Sequence, residues 1–223
     1  MAHRGGDCFA EENSIAAIKQ SLKLSPDIIE IDLRKSTDNV IYCYHGNNFQ
    51  YIFTSFFFKK KLAKLKQNYP SIATLKEINA IIPQNTILLL DIKDTTITKQ
   101  EIIQLMQDTK AMQILIASRS LNYLQKLGTI PKNYKKVCNG GIFFLGLNKK
   151  QFCKSDINII ELFHWDFNQK NITLLKKNNK QAALAAWFLS RKKYKSRCFK
   201  HNSFWIWDYD LPKLKKYLIQ RLN

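Results

Sequence analysis

The sequence predicts an α/β fold, a (β/α)8 TIM barrel with a short insertion after the second strand, and three observations predict it. Eight apolar, strand-like runs end near His3, Leu33, Asp91, Ser118, Asn139, His164, Phe188 and Asp208. Segments of helical periodicity lie between most of them: Asn13 to Leu24, Leu75 to Ile82, Lys99 to Met106, Leu121 to Leu127, Ile172 to Asn178 and Leu211 to Leu222. Eight such units in 223 residues make a compact barrel, because strands alternating with helices pair in parallel. An open doubly wound sheet is the alternative. It would be supported by a phosphate-binding glycine loop after the first strand, and His3-Arg4-Gly5-Gly6-Asp7 does not fit GxGxxG. One domain is expected over residues 1–223.

The second strand is the most informative element. In Asp27-Ile28-Ile29-Glu30-Ile31-Asp32-Leu33 the two carboxylates Glu30 and Asp32 are spaced i, i+2, which puts both on one face of a sheet. Burying uncompensated carboxylates costs roughly several kcal/mol each, so this strand calls for a cation at its end. A metal ion is the simplest one. Val40 to His45 reads as a short extended run, a hairpin partner that carries His45 back over the barrel mouth. The insertion spans about residues 46–73, and Phe49 to Tyr69 within it contains Phe56-Phe57-Phe58 followed by Lys59-Lys60-Lys61. A packed aromatic turn with a solvated basic helix is favoured there over a membrane-contact element. The third barrel strand closes on Asp91 and Lys93, which again share a face.

Bulk properties narrow the class. The hydrophobic fraction of 45% excludes a disordered chain, and no stretch reaches the roughly 18 apolar residues of a membrane span. The opening residues are already motif-like, so no secretory leader is expected. The five cysteines are odd in number and lack CxxC spacing, which favours reduced, mostly core thiols in a cytoplasmic setting over a disulfide frame, with peripheral membrane contact through the insertion as a further expectation. A net charge of +19 invites an anionic partner. A Lys-, Asn- and Ile-rich compositional habit explains it equally well, and Lys170 to Lys180 reads as a solvated face.

Residues at the C-terminal ends of barrel strands meet in one site even when far apart in sequence. Glu30, Asp32 and Asp91 then form a hard oxygen site suited to Mg²⁺ or Ca²⁺. With one divalent ion, Lys93 and Arg4, the formal sum is about +1, which matches one phosphodiester anion. Two histidines from different loops can act across that phosphorus as general acid and general base.

His3-Arg4-Gly5, Glu12-Asn13-Ser14, Ile29-Glu30-Ile31-Asp32, the Thr37-Asp38-Asn39 turn, His45, Thr74-Leu75-Lys76-Glu77 and Leu90-Asp91-Ile92-Lys93 form an ordered set. As a set the chain resembles the glycerophosphodiester phosphodiesterase family. The likeness covers the first half closely. In the second half it rests on Trp187 and on Trp207-Asp208-Tyr209-Asp210-Leu211-Pro212. It implies a TIM-barrel phosphodiesterase with His3 and His45 as the acid/base pair, and with Glu30, Asp32 and Asp91 holding the metal. It further implies phosphate contacts from Arg4 and Lys93 and a supporting role for Glu12. Two positions depart from the family pattern: Asp91 stands where a glutamate is usual, as in the related barrel phospholipases D, and Gly46 follows His45 where an aspartate is usual.

The expected activity is metal-dependent cleavage of glycerophosphodiesters or lysophospholipid headgroups, releasing an alcohol and glycerol phosphate or a cyclic phosphate. A catalytically weakened barrel that binds a phosphorylated metabolite or an anionic polymer is the alternative. Nucleic-acid binding ranks behind both, for want of an aromatic platform, a zinc pattern or a recognition helix. Trp187 is expected to wall the substrate pocket. His164 and Glu161 are read as structural or supporting and His201 as a surface residue, and Ser118 has no dedicated base to make it a nucleophile.

Overall fold

The computed structural model describes residues 1–7, 9–46, 60–139, 153–163 and 169–185, in a mixed α/β arrangement. Seven strands form one sheet: β1 (Ile28–Lys35), β2 (Ile41–Cys43), β3 (Ile87–Ile92), β4 (Gln113–Ser118), β5 (Tyr134–Cys138), β6 (Ile159–Phe163) and β7 (Gln181–Ala185). Their order is β2-β1-β3-β4-β5-β6-β7, and every pairing from β1 to β7 is parallel. Helix α1 (Ile15–Leu22) precedes β1, α2 (Leu62–Asn68) and α3 (Leu75–Asn79) lie between β2 and β3, and α4 (Lys99–Leu105), α5 (Leu121–Lys126) and α6 (Gln169–Lys177) follow β3, β4 and β6. Phe188 and Asp208, expected to end the last two strands, and the helix expected from Leu211 fall outside the described residues, as do Trp187, His164 and His201.

Ladder register divides the sheet into two faces. Ile29, Ile31 and Leu33 align with Leu88, Leu90 and Ile92 and join the apolar core. The opposite face carries Glu30 and Asp32 on β1, Asp91 on β3, Ala117 on β4, Val137 on β5 and Glu161 on β6. Such strands read as nearly continuous apolar runs because both of their faces are covered.

The first expected strand is a single parallel bridge. Ala2 donates its N–H to Ile28 O (2.7 Å) and accepts from Glu30 N (2.9 Å). Extended structure stops there because Arg4 (φ 46°), Gly5 (φ 75°) and Gly6 (φ 103°) all turn left-handed. The two glycines also let α1 pack tightly on this turn. A Cβ at Gly6 would lie 1.9 Å from Ser21 Oγ, and one at Gly5 would lie 2.7 Å from Ile18 Cγ1. Ser14 caps α1 by accepting from Ala17 N, and Ser21 Oγ donates to Gly5 O (2.7 Å), which ties helix to turn.

The hairpin read from Val40 to His45 forms as β2, antiparallel to β1 with Leu33 opposite Cys43 and Lys35 opposite Ile41. One expectation needs correcting. Glu30 and Asp32 do not close their strand, because pairing with β2 carries β1 on to Lys35. Of the insertion, residues 47–59 lie outside the described part. The α2 helix that follows buries no residue, as a solvated basic helix should. The α3 helix ends at Asn79, short of the expected Ile82, with Pro83 close behind. Cys43, Cys138 and Cys153 are free thiols, and no described helix is long and apolar enough to cross a membrane.

Candidate active site

Parallel register sets Asp32 directly beside Asp91, with Glu30 two residues earlier on the same face. The carboxylates of Glu30, Asp32 and Asp91 each offer an oxygen within 4.8 Å of the others, and all three residues are buried. They are held unequally. Glu30 Oε2 accepts from Arg4 N (2.6 Å), while its Oε1 is buried with no hydrogen-bond partner. Asp32 Oδ2 accepts from Asn13 Nδ2 (2.9 Å), and Asp32 N returns a bond to Asn13 Oδ1 (2.9 Å). Lys93 Nζ lies 2.9 Å from Asp32 Oδ1 and donates to Asp91 Oδ2. Lys93 is thereby a counter-ion of both aspartates.

The charges respond to this crowding. Burial, followed by the charges of Asp32 and Asp91, pushes Glu30 well above the usual carboxylate range. Burial also works to raise Asp32, but Lys93, His45, Arg4 and Asn13 outweigh it and hold that group at about 2. Burial pulls Lys93 down, yet Asp91, Asp32 and Glu30 together keep it above its ordinary value. Three clustered carboxylates, one with an orphaned buried oxygen, make a hard oxygen donor set that fits a divalent cation.

Both histidine-bearing loops are tied to β1. The first is the turn His3–Gly5, whose Arg4 N–H binds the Glu30 carboxylate and whose Arg4 Nη1 donates to Glu12 Oε2 (2.5 Å). His3 Nδ1 lies 3.2 Å from Asp7 Oδ2. The second follows β2: Tyr44 N donates to Asp32 O (3.0 Å), and His45 comes next. His45 is half-buried, and burial lowers its pKa; Asp32 opposes that shift, while Arg4 and Lys93 add to it. His45 thus lies within electrostatic reach of the carboxylates and of both cations. Beside it, Glu11, Glu12, Tyr44, Tyr69 and Ser71 line a cleft.

The structure therefore brings His45, Arg4, Lys93, Glu12, Glu30, Asp32 and Asp91 into one neighbourhood, with His3 on the adjoining turn. Trp187 lies outside the described residues. Glu161 shares the face of the carboxylates and is buried, whereas Ser118 Oγ accepts from Ser120 N (3.2 Å) at the start of α5. Sequence reasoning missed the part played by three residues: Asn13, which locks Asp32; Asp7, beside His3; and Arg34, whose guanidinium donates to the carbonyls of Tyr44 and His45. A usable signal existed for Asn13 alone. Asparagine tolerates left-handed backbone, and here it has φ 60° just before the helix-capping Ser14.

Residues 3–182 match the sequence profile of the Glycerophosphoryl diester phosphodiesterase family. Solved structures share the fold. The glycerophosphodiester phosphodiesterase of Thermotoga maritima aligns with a TM-score of 0.67 at 17% identity, over 83% of this chain and 84% of that one. A phosphodiesterase of Oleispira antarctica, solved in complex with the product sn-glycerol-3-phosphate, aligns with a TM-score of 0.67 at 19% identity over 83% of each chain. A glycerophosphodiester phosphodiesterase of Parabacteroides distasonis gives 0.61 at 16% identity, covering 99% of this chain and 87% of its own. No curated protein sequence matches. The architecture is the TIM barrel that the strand and helix alternation predicts.

Proposed function

Since the chain belongs to the glycerophosphoryl diester phosphodiesterase family and is thereby a phosphoric diester hydrolase, we propose that it cleaves glycerophosphodiesters or lysophospholipid headgroups with a divalent cation and a histidine pair. The observation that carries this reading is the buried set Glu30, Asp32 and Asp91, with one glutamate oxygen left unpartnered. A divalent cation bound there, Mg²⁺ or Ca²⁺, would supply positive charge to a phosphoryl oxygen. Product sn-glycerol-3-phosphate in the Oleispira relative supports a glycerol phosphate product here.

This chain's own residues do the rest. Asn13 bonds both the main chain and the side chain of Asp32, so that carboxylate stays aimed without reorganising. Arg4 and Lys93 bring two cations to the floor of the site, where an arriving phosphodiester competes with Glu12 and the aspartates for their N–H groups. Burial keeps His45 neutral near pH 7, which suits it to accept a proton, and His3 then protonates the leaving alcohol. Glu12 holds the Arg4 guanidinium in place. Trp187 is proposed to wall the alcohol side. Where the substrate carries a hydroxyl beside the phosphoester, that hydroxyl is the nucleophile of choice because of its high effective molarity, and a cyclic phosphate forms. The enzyme is proposed to work in the cytoplasm.

A panel of phosphodiesters, followed by phosphorus NMR with and without chelator, tests this. Chelator-sensitive release of glycerol phosphate or a cyclic phosphate is the expected result. Absence of turnover on every diester, with cation binding intact, would favour the weakened, ligand-binding barrel instead.

A further inference from the structure

Asp32 and Arg34 are spaced i, i+2 on β1, so the strand that carries two of the site carboxylates also carries a cation on the same face. That cation reaches a particular stretch of backbone. Arg34 Nη2 donates to His45 O at 2.8 Å, and Arg34 Nε lies 3.3 Å from the same oxygen and 3.2 Å from Tyr44 O. Regular β2 pairing has ended by then, at Cys43. The fork therefore grips the two carbonyls just past the point where the ladder stops holding the chain.

Gly46 completes the arrangement. It has φ +82°, and a Cβ there would lie 3.3 Å from Tyr44 Cε1 and 3.4 Å from Arg34 Nη2. A side chain at this position would be strained by the backbone, with its Cβ tight against the Tyr44 ring and in contact with the guanidinium. On the other side of the loop, Tyr44 N is fixed to Asp32 O.

We propose that Arg34 is a positioning residue for His45, coupling the imidazole to the carboxylate strand through the Tyr44 and His45 carbonyls. Gly46 supplies the left-handed turn that follows His45 beside the guanidinium. Arg34 touches neither substrate nor reacting atom in this role; it fixes the backbone from which the imidazole projects. This rests on the reading of His45 as an acid/base group.

The test measures kcat and KM on the best diester of the panel, in the presence of Mg²⁺ or Ca²⁺, for Arg34→Ala, Arg34→Lys and His45→Ala. Arg34→Ala is expected to lower kcat roughly 10- to 100-fold, the scale set by a misplacement of about 1 Å, with KM changed less than about threefold. Arg34→Lys should recover part of the loss, since an ammonium can serve one carbonyl but not the fork. Added guanidinium at sub-denaturing concentration should restore kcat in Arg34→Ala and leave the parent unaffected. A folded Arg34→Ala protein with kcat within twofold of the parent overturns the proposal, as does a loss confined to KM. Should Arg34→Ala fail to fold, Arg34→Lys decides: a lowered kcat with KM little changed upholds the clamp, and a kcat within twofold of the parent overturns it. Loss of turnover in His45→Ala alone leaves the acid/base reading standing while the clamp falls, whereas normal turnover in His45→Ala overturns both.

Discussion

Two sets of carboxylates in this molecule have opposite fates. Glu30, Asp32 and Asp91 are buried on one face of the sheet, and burial with mutual repulsion drives Glu30 well above its ordinary pKa. Glu77 and Glu101 sit in the first turns of α3 and α4, where each closes a capping box with a threonine and is held below its ordinary value. The capping pair satisfies donors that a helix start leaves unpaired, so it contributes stability at neutral pH. The buried set concentrates like charge where water is scarce, an arrangement that only a counter-cation makes favourable. Lys93 supplies one such charge, yet Glu30 Oε1 remains unpartnered. Removing the Glu30 charge should therefore strike activity and spare stability. Removing capping carboxylates should do the reverse.

Chelation gives the largest expected effect. EDTA should abolish diester cleavage and Mg²⁺, Mn²⁺ or Ca²⁺ should restore it, in the parent and in Glu77→Ala alike. Asp91→Asn should be inactive with any of these ions, whereas Asp91→Glu keeps a carboxylate and should retain part of the rate. Full activity in chelator would end the claim that the buried set exists for a cation.

The histidines come next. His3→Ala or His45→Ala should lower kcat on the order of 10²-fold or more with little change in melting temperature, which groups them with the buried carboxylates. Since burial lowers the His45 pKa, the limb on which rate rises with pH should lie below the ordinary histidine value near 6.5. A limb above that value would assign His45 the acid role instead.

Glu30→Gln sharpens the comparison on the stability side. The amide fills the same space without the surplus charge, so in chelator its melting temperature should equal or exceed that of the parent by up to a few degrees. The parent should gain about 2.7 kcal/mol at a cation concentration near 100 times its dissociation constant, and Glu30→Gln should gain little. A strongly destabilised Glu30→Gln protein would mean that the charge is structural after all.

The same contrast explains what is legible in the sequence. Charged side chains at i, i+2 along an apolar strand violate binary patterning, so Glu30 with Asp32 and Asp91 with Lys93 stand out from the residue pattern alone, and Val40 to His45 declares itself as an extra run after the first of those strands. The supporting residues do not stand out. Asn13 meets Asp32 from a loop in which Arg4 and Asn13, neither of them glycine, both adopt positive φ, a conformation that hydrophobic patterning does not announce. Arg34 looks like an ordinary charged strand end, since its partners are main-chain carbonyls ten and eleven positions away. Parallel pairing from β1 to β7 follows from the alternation of apolar runs and helices. The length of β1 does not, because it depends on β2 pairing with Arg34 and Lys35, whose polar side chains hide the strand from a hydrophobicity reading.

The smallest effect concerns the capping side and has a definite sign. Glu77 Oε2 accepts from Thr74 N (2.6 Å) and Thr74 Oγ1 (2.8 Å), and those bonds favour the ionised carboxylate. Its folded pKa is below that of the unfolded chain, so its contribution is complete above the unfolded value near 4.3 and is lost as pH falls through the folded value. Because the group is about half exposed, solvent screening trims the effect, and Glu77→Ala should cost about 0.5–1 kcal/mol at pH 7. For a chain of this size that is a melting shift of roughly 1–4 °C. Glu77→Gln keeps an acceptor at the same helical position, so it should retain much of the cap while erasing this acid-dependent loss. Diester turnover at 25 °C should be unchanged in both variants, because α3 contributes no group to the carboxylate cluster. A Glu77→Ala protein that keeps its stability at pH 7 but loses turnover would invert the division between the two carboxylate sets.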